Sequence, residues 1–377
     1  MIAARGVLAM RSSPALLLLL TTLCLPGGAQ PPRPAQRLVL IDQDGSGPGG
    51  SDQMSMMMLL QSPEIKVLGI TMVTGDAWEP EEVQHTLRML ELIHRSDVPV
   101  APGAVFPLLR TQAQTMHQAA SIGSSFYYGA WGGLAQHSPQ PYHGPFVIPA
   151  LREGQPTTHP LDEDAAHFLI RQVHAHPHQV TIYAAGPLTN IALAVSIDPH
   201  FAELSKGIVI MGGSLNPRTD DPEFAADPRH EFNFWFDPEA AHIVLRAHWP
   251  RIELTDADIA LKTRFTPEIL RQIGQSSSPA AQYIARYSHR FYYQWDELAA
   301  AAWLDPAIIT RETTLYVDVD TAPGPHYGDT LTWTAANKPA LDGSEGPMQP
   351  VHVQQDLDLK RFEDLFVNLM KAPPPGQ

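Results

Sequence analysis

Cysteine is almost missing from this chain of 377 residues, with Cys24 the only one. That excludes a disulfide framework and a cysteine-ligated zinc site. Positive charge is scarce. Lys and Arg number 25 against 40 Asp and Glu, a formal net charge of −15, which argues against nucleic acid or an acidic membrane surface as the main partner. No repeat is visible, and beyond a short N-terminal apolar run no candidate membrane span appears. A Gly-x-Ser-x-Gly elbow, a Walker loop and a His-Glu-x-x-His pair are all missing. What is there is a core: 44% hydrophobic residues rules out a disordered chain. The 36 prolines, roughly double ordinary usage, stiffen many loops.

The first residues read as an address. Arg5 and Arg11 precede the apolar run Pro14 to Leu20, and Gly27, Gly28 and Ala29 follow. This is the order of a secretory signal peptide, residues 1–29, and the run is short for a membrane span. An exported protein, periplasmic or secreted, with no stable span after processing, is expected. Residues 30–36 form a Pro-rich spacer, and residues 372–377 are expected as a disordered tail.

Between these ends, short β-like runs alternate with helical stretches. Arg37 to Ile41, Val67 to Val73, Val180 to Ala185, Ile208 to Met211 and Ile252 to Leu254 read as buried strands. A helix is expected from about Asp52, and another over Pro80 to Arg95 with Val83, Leu87, Leu90 and Ile93 on one face. Repeated βα units predict a single α/β domain over residues 37–371, a mostly parallel central sheet flanked by helices. Ligands on such sheets bind where strands end at their carboxyl side. Residues 111–160, rich in Gly, Pro, His and aromatics, read as a long loop or lid.

The segment after the first strand is acidic: Asp42-Gln43-Asp44, then Gly45 to Gly50, then Ser51-Asp52. Gly45-x-Gly47-x-x-Gly50 has the form of a dinucleotide fingerprint, but Asp42 and Asp44 would repel a pyrophosphate. The spacing also imitates an EF-hand, yet position twelve is Gln53 and a strand precedes the loop. A cation site at the sheet mouth remains, with Asp44 and Asp52 as hard oxygen ligands for Ca²⁺ or Mg²⁺. Asp52 also suits a helix dipole and Ser51 an N-cap.

This loop, with Ser62-Pro63-Glu64-Ile65-Lys66-Val67-Leu68-Gly69-Ile70-Thr71 after it, resembles the N-terminus of the inosine–uridine nucleoside hydrolase family. Further segments agree in order: Asp97 to Ala104, Ala185-Gly186-Pro187-Leu188-Thr189-Asn190, Met211-Gly212-Gly213, Glu231-Phe232-Asn233 with Asp237-Pro238-Glu239-Ala240, and Trp295-Asp296-Glu297-Leu298-Ala299. The similarity runs from about residue 37 to 320 and is nearest in motif to purine-preferring members.

The resemblance implies N-glycosidic cleavage of a small-molecule nucleoside to base and ribose, through an oxocarbenium-like sugar. It implies Ca²⁺ held by Asp44, Asp52, Asp296 and the carbonyl of Ala185, with Asp44 taking a proton from the cation's water and Asp42 in support. Asp76, Asn216, Glu231, Asn233 and Ser51 would meet the ribose. Glu231 and Asn233, two apart, would share one face of an extended stretch. Trp295 stands where pyrimidine-accepting members carry His. An indole cannot supply that acid, but it can stack on a purine, raise its basicity and let solvent protonate it. Trp78, Tyr127, Tyr128 and Trp131 are candidates for a second stacking face. The loop before Asp52 is about three residues longer than the family's usual pattern, and Ser51 replaces an Asp. Two alternatives stay open: a hydrolase of another N-riboside, and a non-catalytic nucleoside- or ribose-binding protein. A homo-oligomer is also open. His174-x-His176-x-His178 reads as a solvated turn, His85 as a packed or solvated helix residue, and Met54 to Met58 as core.

Overall fold

The first strand, β1 (Arg37–Gln43), is apolar almost throughout and becomes fully buried from Val39 onward, as a strand covered on both faces must be. In the computed structural model, residues 6, 36–122, 127–132, 143–339 and 347–375 are described. The expected signal peptide and spacer thus lie outside the described residues, residue 6 and residue 36 apart.

Beside β1 stand β2 (Ile65–Met72), β3 (Val100–Ala101), β4 (Val180–Ala184), β5 (Gly207–Met211) and β6 (Ile252–Thr255). Three more strands follow, β7 (Ile309–Val319), β8 (Thr330–Trp333) and β9 (Pro350–Leu357). The sheet order is β3-β2-β1-β4-β5-β6-β9-β7-β8. All neighbours from β3 to β9 run parallel, while β7 is antiparallel to both β9 and β8. The mostly parallel sheet is as expected. The antiparallel end was not, because β9 reaches β6 only after a long excursion through β7 and β8.

Register fixes where the strands end. Asp42 pairs with Thr71 on one side and Ala184 on the other, and Ala184 with Ile210. The residues after β1, β2, β4 and β5 therefore emerge along one edge. Helices cover both faces over two apolar layers. One gathers Val39, Ile41, Met56 and Leu298, the other Leu40, Phe168, Ile182 and Val244.

Helix α1 (Ser51–Gln61) is buried from Asp52 onward, its methionines in the core. Helix α2 (Glu79–Leu92) opens with Pro80 and three acids, Glu79, Glu81 and Glu82, in its first turn, where proline and negative charge both favour a helix start. Val83, Leu87, Leu90 and Ile93 are buried as the periodicity predicts. The helix stops short of Arg95 because His94 turns to φ +61°.

Residues 111–160 are not loop alone: Gln112–Ile122 is a helix and Gly129–Trp131 a 3-10 turn, while 133–142 lie outside the described residues. The chain end is held further than expected. Gln61 Nε2 donates to the carbonyl of Ala372 at 2.8 Å and Pro374 is buried. His174 pairs with Asp198 at 2.6 Å beside the half-buried His176 and the exposed His178. Among the described residues, no helix is long and apolar enough to cross a membrane.

Candidate active site

The strand ends open into a cavity of about 710 Å³. Its lining includes Asp44, Ser51, Asp52, Asp76, Ala185, Glu231, Asn233, Trp295 and Asp296. Three strand-to-helix connections and two later segments thus bring the expected residues together. Asp42 and Asn216 do not line it.

Asp44 follows β1 directly. Its carboxylate accepts from the backbone N–H of Asp76 at 3.1 Å. Glycines crowd it: a Cβ on Gly75 would lie 2.0 Å from Oδ2, and one on Gly186 2.8 Å from Oδ1. Gln43 Oε1 accepts from the Asp44 N–H at 2.9 Å, while Gln43 Nε2 donates to Asp296 Oδ2 at 3.0 Å. Gln43 therefore couples β1 to the helix Trp295–Leu304. The sequence reading passed over it, although its place between two aspartates at a strand end was a signal. Asp52 sits in the first turn of α1, and its carboxyl is hydrogen-bonded to that of Asp296.

Burial pushes this whole set upward. Asp44 and Asp52 lie well above the usual carboxylate range, first through desolvation and then through repulsion from Asp76 and Asp296. Desolvation raises Asp296 to about 7. Asp76 rises to about 6 for the same reason, moderated by hydrogen bonds from Ser46 and Tyr127 and by the charge of Arg290. Three buried carboxylates and the half-buried Asp76, in mutual repulsion, stay ionised together only around a positive charge.

The donor chemistry fits a hard divalent cation, which takes oxygen ligands. Among the described residues, no three His, Cys, Asp or Glu side chains already stand as a closed ligand set. Asp52 and Asp296 are joined by a side-chain hydrogen bond, and with Asp44 they are the carboxylates that would hold the cation.

Asp42 is completely buried. It accepts from Thr71 Oγ1 at 2.5 Å and Asn190 Nδ2 at 2.8 Å, and burial lifts it to about 7. It braces β1 against β2 and the helix Thr189–Ile197 from behind the cavity. Ser51 does not cap α1; Gly50 holds that position without a side-chain bond. The Ser51 hydroxyl donates to Glu297 Oε2 at 2.5 Å and accepts from the Asp296 N–H at 3.3 Å. Its only hydrogen is thus committed within the protein.

Glu231 and Asn233 do not lie on an extended stretch. Glu231 caps the short helix Phe232–Phe236, accepting from the N–H groups of Asn233 at 3.0 Å and Phe234 at 3.1 Å, and from Gly213 at 2.8 Å. Capping satisfies amides that an extended strand would leave without partners. Burial raises Glu231 against the pull of those three donors. Asn233 Nδ2 donates to the Met211 carbonyl at 3.1 Å. Asn216 is exposed, its backbone N–H bonded to Asp258. Further along the same connection, the helix Pro222–Ala226 brings Glu223 and Phe224 into the cavity lining.

Aromatic rings line the upper cavity. Trp295 meets Tyr293 edge-on with centroids 5.2 Å apart, and Phe224 tilted at 5.8 Å. Trp78, Tyr127 and Phe232 also line the cavity. Trp131 packs beneath, stacked on Phe236 at 5.7 Å.

A parallel-sheet fold with carboxylates gathered at the strand ends under aromatic rings defines a class, the N-glycosyl hydrolases acting on N-ribosides. Within it, the chain belongs to the inosine-uridine preferring nucleoside hydrolase family, whose profile matches residues 39–364. A probable uridine nucleosidase 1 of Oryza sativa subsp. japonica is 31% identical, covering 89% of this chain and 97% of its own length. A pyrimidine-specific ribonucleoside hydrolase of Escherichia coli O1:K1 is 27% identical over 88% and 98%. A plant nucleoside hydrolase structure superimposes with a TM-score of 0.69 at 27% identity, covering 89% and 99%. A purine-preferring ribonucleoside hydrolase from Gardnerella vaginalis shares the fold, with a TM-score of 0.66 at 22% identity, covering 89% and 98%.

Proposed function

We propose that this hydrolase cleaves purine ribonucleosides to free base and ribose. The observation that carries the reading is the meeting of buried Asp44, Asp52 and Asp296 and half-buried Asp76 with an aromatic wall that includes Trp295. Asp44, Asp52, Asp296 and the carbonyl of Ala185 would hold Ca²⁺. That ion would supply Lewis acidity, making the attacking water easier to deprotonate. Asp44 accepts the proton the water gives up, held to that task by the Asp76 amide and by the two glycines that leave its carboxylate no room to turn. Asp76 and Asn233 grip ribose hydroxyls. Glu231 faces the positive charge that develops on the sugar as the C–N bond opens. Trp295 offers its face to the base, and a purine presents more area to it than a pyrimidine.

We further propose that the enzyme works after export and removal of residues 1–29. The order of charged, apolar and small residues there supports this, and N-terminal sequencing of the mature protein tests it.

Base release from inosine, adenosine, guanosine, uridine and cytidine at matched concentrations tests the substrate. A kcat/KM for the purine nucleosides at least about tenfold above uridine is expected, since one stacking contact contributes roughly 0.5–1.5 kcal/mol beyond area burial and the larger ring adds more. Uridine equal to or better than inosine would overturn the purine preference.

A further inference from the structure

The loop between Asp44 and Asp52 makes a set of contacts that the reading above does not use. Ser46 sits in it, half-buried and on the cavity wall. Its backbone N–H donates to the Asp44 carbonyl at 2.7 Å, and its hydroxyl donates to Asp76 Oδ2 at 3.2 Å. The Asp76 N–H donates in turn to Asp44 Oδ2 at 3.1 Å. Three hydrogen bonds thus close a ring through Asp44, Ser46 and Asp76. The ring joins the group that takes the water's proton to a carboxylate that grips ribose.

Charge makes that ring necessary. Asp76 shares the cavity with Asp44, Asp52 and Asp296, and each of the three repels it. A half-buried carboxylate in such a field is favoured to turn toward water, where the repulsion is screened. A hydroxyl donating to Oδ2 opposes the turn, and hydrogen bonds to ionised groups are among the strong ones. Tyr127 also bonds Asp76, but it comes from a separate segment, whereas Ser46 is tied to Asp44 as well.

The far end of the loop is anchored to other elements. Gln53 Oε1 accepts from the Gly49 N–H at 2.9 Å and from the Tyr283 hydroxyl at 2.6 Å. The Ser288 hydroxyl donates to the Gly49 carbonyl at 2.7 Å. Both backbone polar groups of Gly49 are therefore held, one by a residue of α1 and one by the residue that ends the helix Pro279–Tyr287. Gly49 has φ +77°, and a Cβ there would lie 2.4 Å from Ser288 Oγ. A glycine-rich loop has wide conformational freedom of its own. Pinned at Gly49, it presents Ser46 at a fixed point.

We propose that Ser46 is a positioning residue for ribose binding: its hydroxyl holds the Asp76 carboxylate beside Asp44, and the anchoring of Gly49 by Gln53 and Ser288 keeps Ser46 within reach. The inference rests on the N-riboside hydrolysis proposed above, with Asp76 on the ribose.

A double-mutant cycle on inosine tests it, read as kcat/KM. Ser46→Ala is expected to lose at least about tenfold. Ser46→Thr, which keeps the hydroxyl, is expected to recover most of that loss. In an Asp76→Ala background, followed at raised enzyme concentration, Ser46→Ala is expected to cost less than about twofold, because the group it serves is gone. Ser288→Ala is expected to lose less than Ser46→Ala and to add nothing to it. A merely structural loosening of the loop would cost the same factor with and without Asp76. That result, no loss in Ser46→Ala, or a threonine variant no better than the alanine one would overturn the proposal while leaving the hydrolase reading intact. Full addition of the Ser288 and Ser46 losses would overturn the part played by the anchor. Wild-type protein that releases no hypoxanthine would overturn the hydrolase reading and this proposal with it.

Discussion

Gly75 has no side chain because the Asp44 carboxylate occupies the space one would need, 2.0 Å from a Cβ. A methyl group there must push Asp44 or the turn aside. A shift of about 1 Å in a catalytic group can cost on the order of 100-fold in rate. Gly75→Ala is therefore expected to lower kcat on inosine by about that factor, read by base release, and unchanged kcat would contradict the placement of Asp44. His85 makes a prediction in pH. Burial alone would lower its pKa, but the hydrogen bonds and charges of Glu153 and Glu81 outweigh it and raise it from 6.5 to about 9. The folded state thus binds this proton more tightly than the unfolded chain. Its contribution to stability is fully present below pH 6.5 and is lost as pH rises through 9. Urea unfolding midpoints of wild type and His85→Gln should converge between these values; a constant gap would contradict the pair. At this scale the sequence was legible at a strand end for Asp42 and Asp44 and at a helix start for Asp52, while Asp296 came from the family resemblance alone. Glu81 and His85 were not legible, since an acid and an imidazole one turn apart on a helix more often face solvent. Their signal was the run of three acids and a His within two turns of Asp76.

Helices and strands are tied together behind the cavity by polar side chains that the core would otherwise reject. Asn190 opens the helix Thr189–Ile197. Its Nδ2 donates to Asp42 Oδ2 at 2.8 Å and to the Met72 carbonyl at 2.9 Å, and its Oδ1 accepts from the Ala104 N–H at 2.8 Å. One amide thus joins β1, β2 and the turn after β3. Asn190→Ala leaves buried groups without partners, each at a cost of about 1–3 kcal/mol. A stability loss of at least about 2 kcal/mol is expected from denaturant titration, and a loss under about 0.5 kcal/mol would contradict this bracing role. The Gly-Pro-Leu-Thr-Asn segment was recognised by its pattern, but what its asparagine holds became visible only when three strands met. The same limit explains Glu231 and Asn233. Two residues apart suggested an extended face, whereas the short helix that forms between them turns Glu231 into its cap.

Over the whole molecule, the mostly parallel sheet was readable because β-like runs alternate with helical stretches. The antiparallel end was not. The strands β7, β8 and β9 come after the recognised motifs, and the insertion of β9 between β6 and β7 is a long-range pairing with no local mark. Asn216 failed for a related reason, since the connection after β5 carries no periodicity from which a position could be counted. What unites the sheet edge is charge: carboxylates from β1, α1, the turn after β2 and the helix Trp295–Leu304 converge where no single segment reveals the others. Their convergence around a divalent cation is the central claim, and one measurement tests it most directly. Hypoxanthine release from inosine is followed before exhaustive chelation, after it, and after Ca²⁺ is returned. Loss of release on chelation and recovery with Ca²⁺ is the predicted result; full release by the chelated protein would contradict the account.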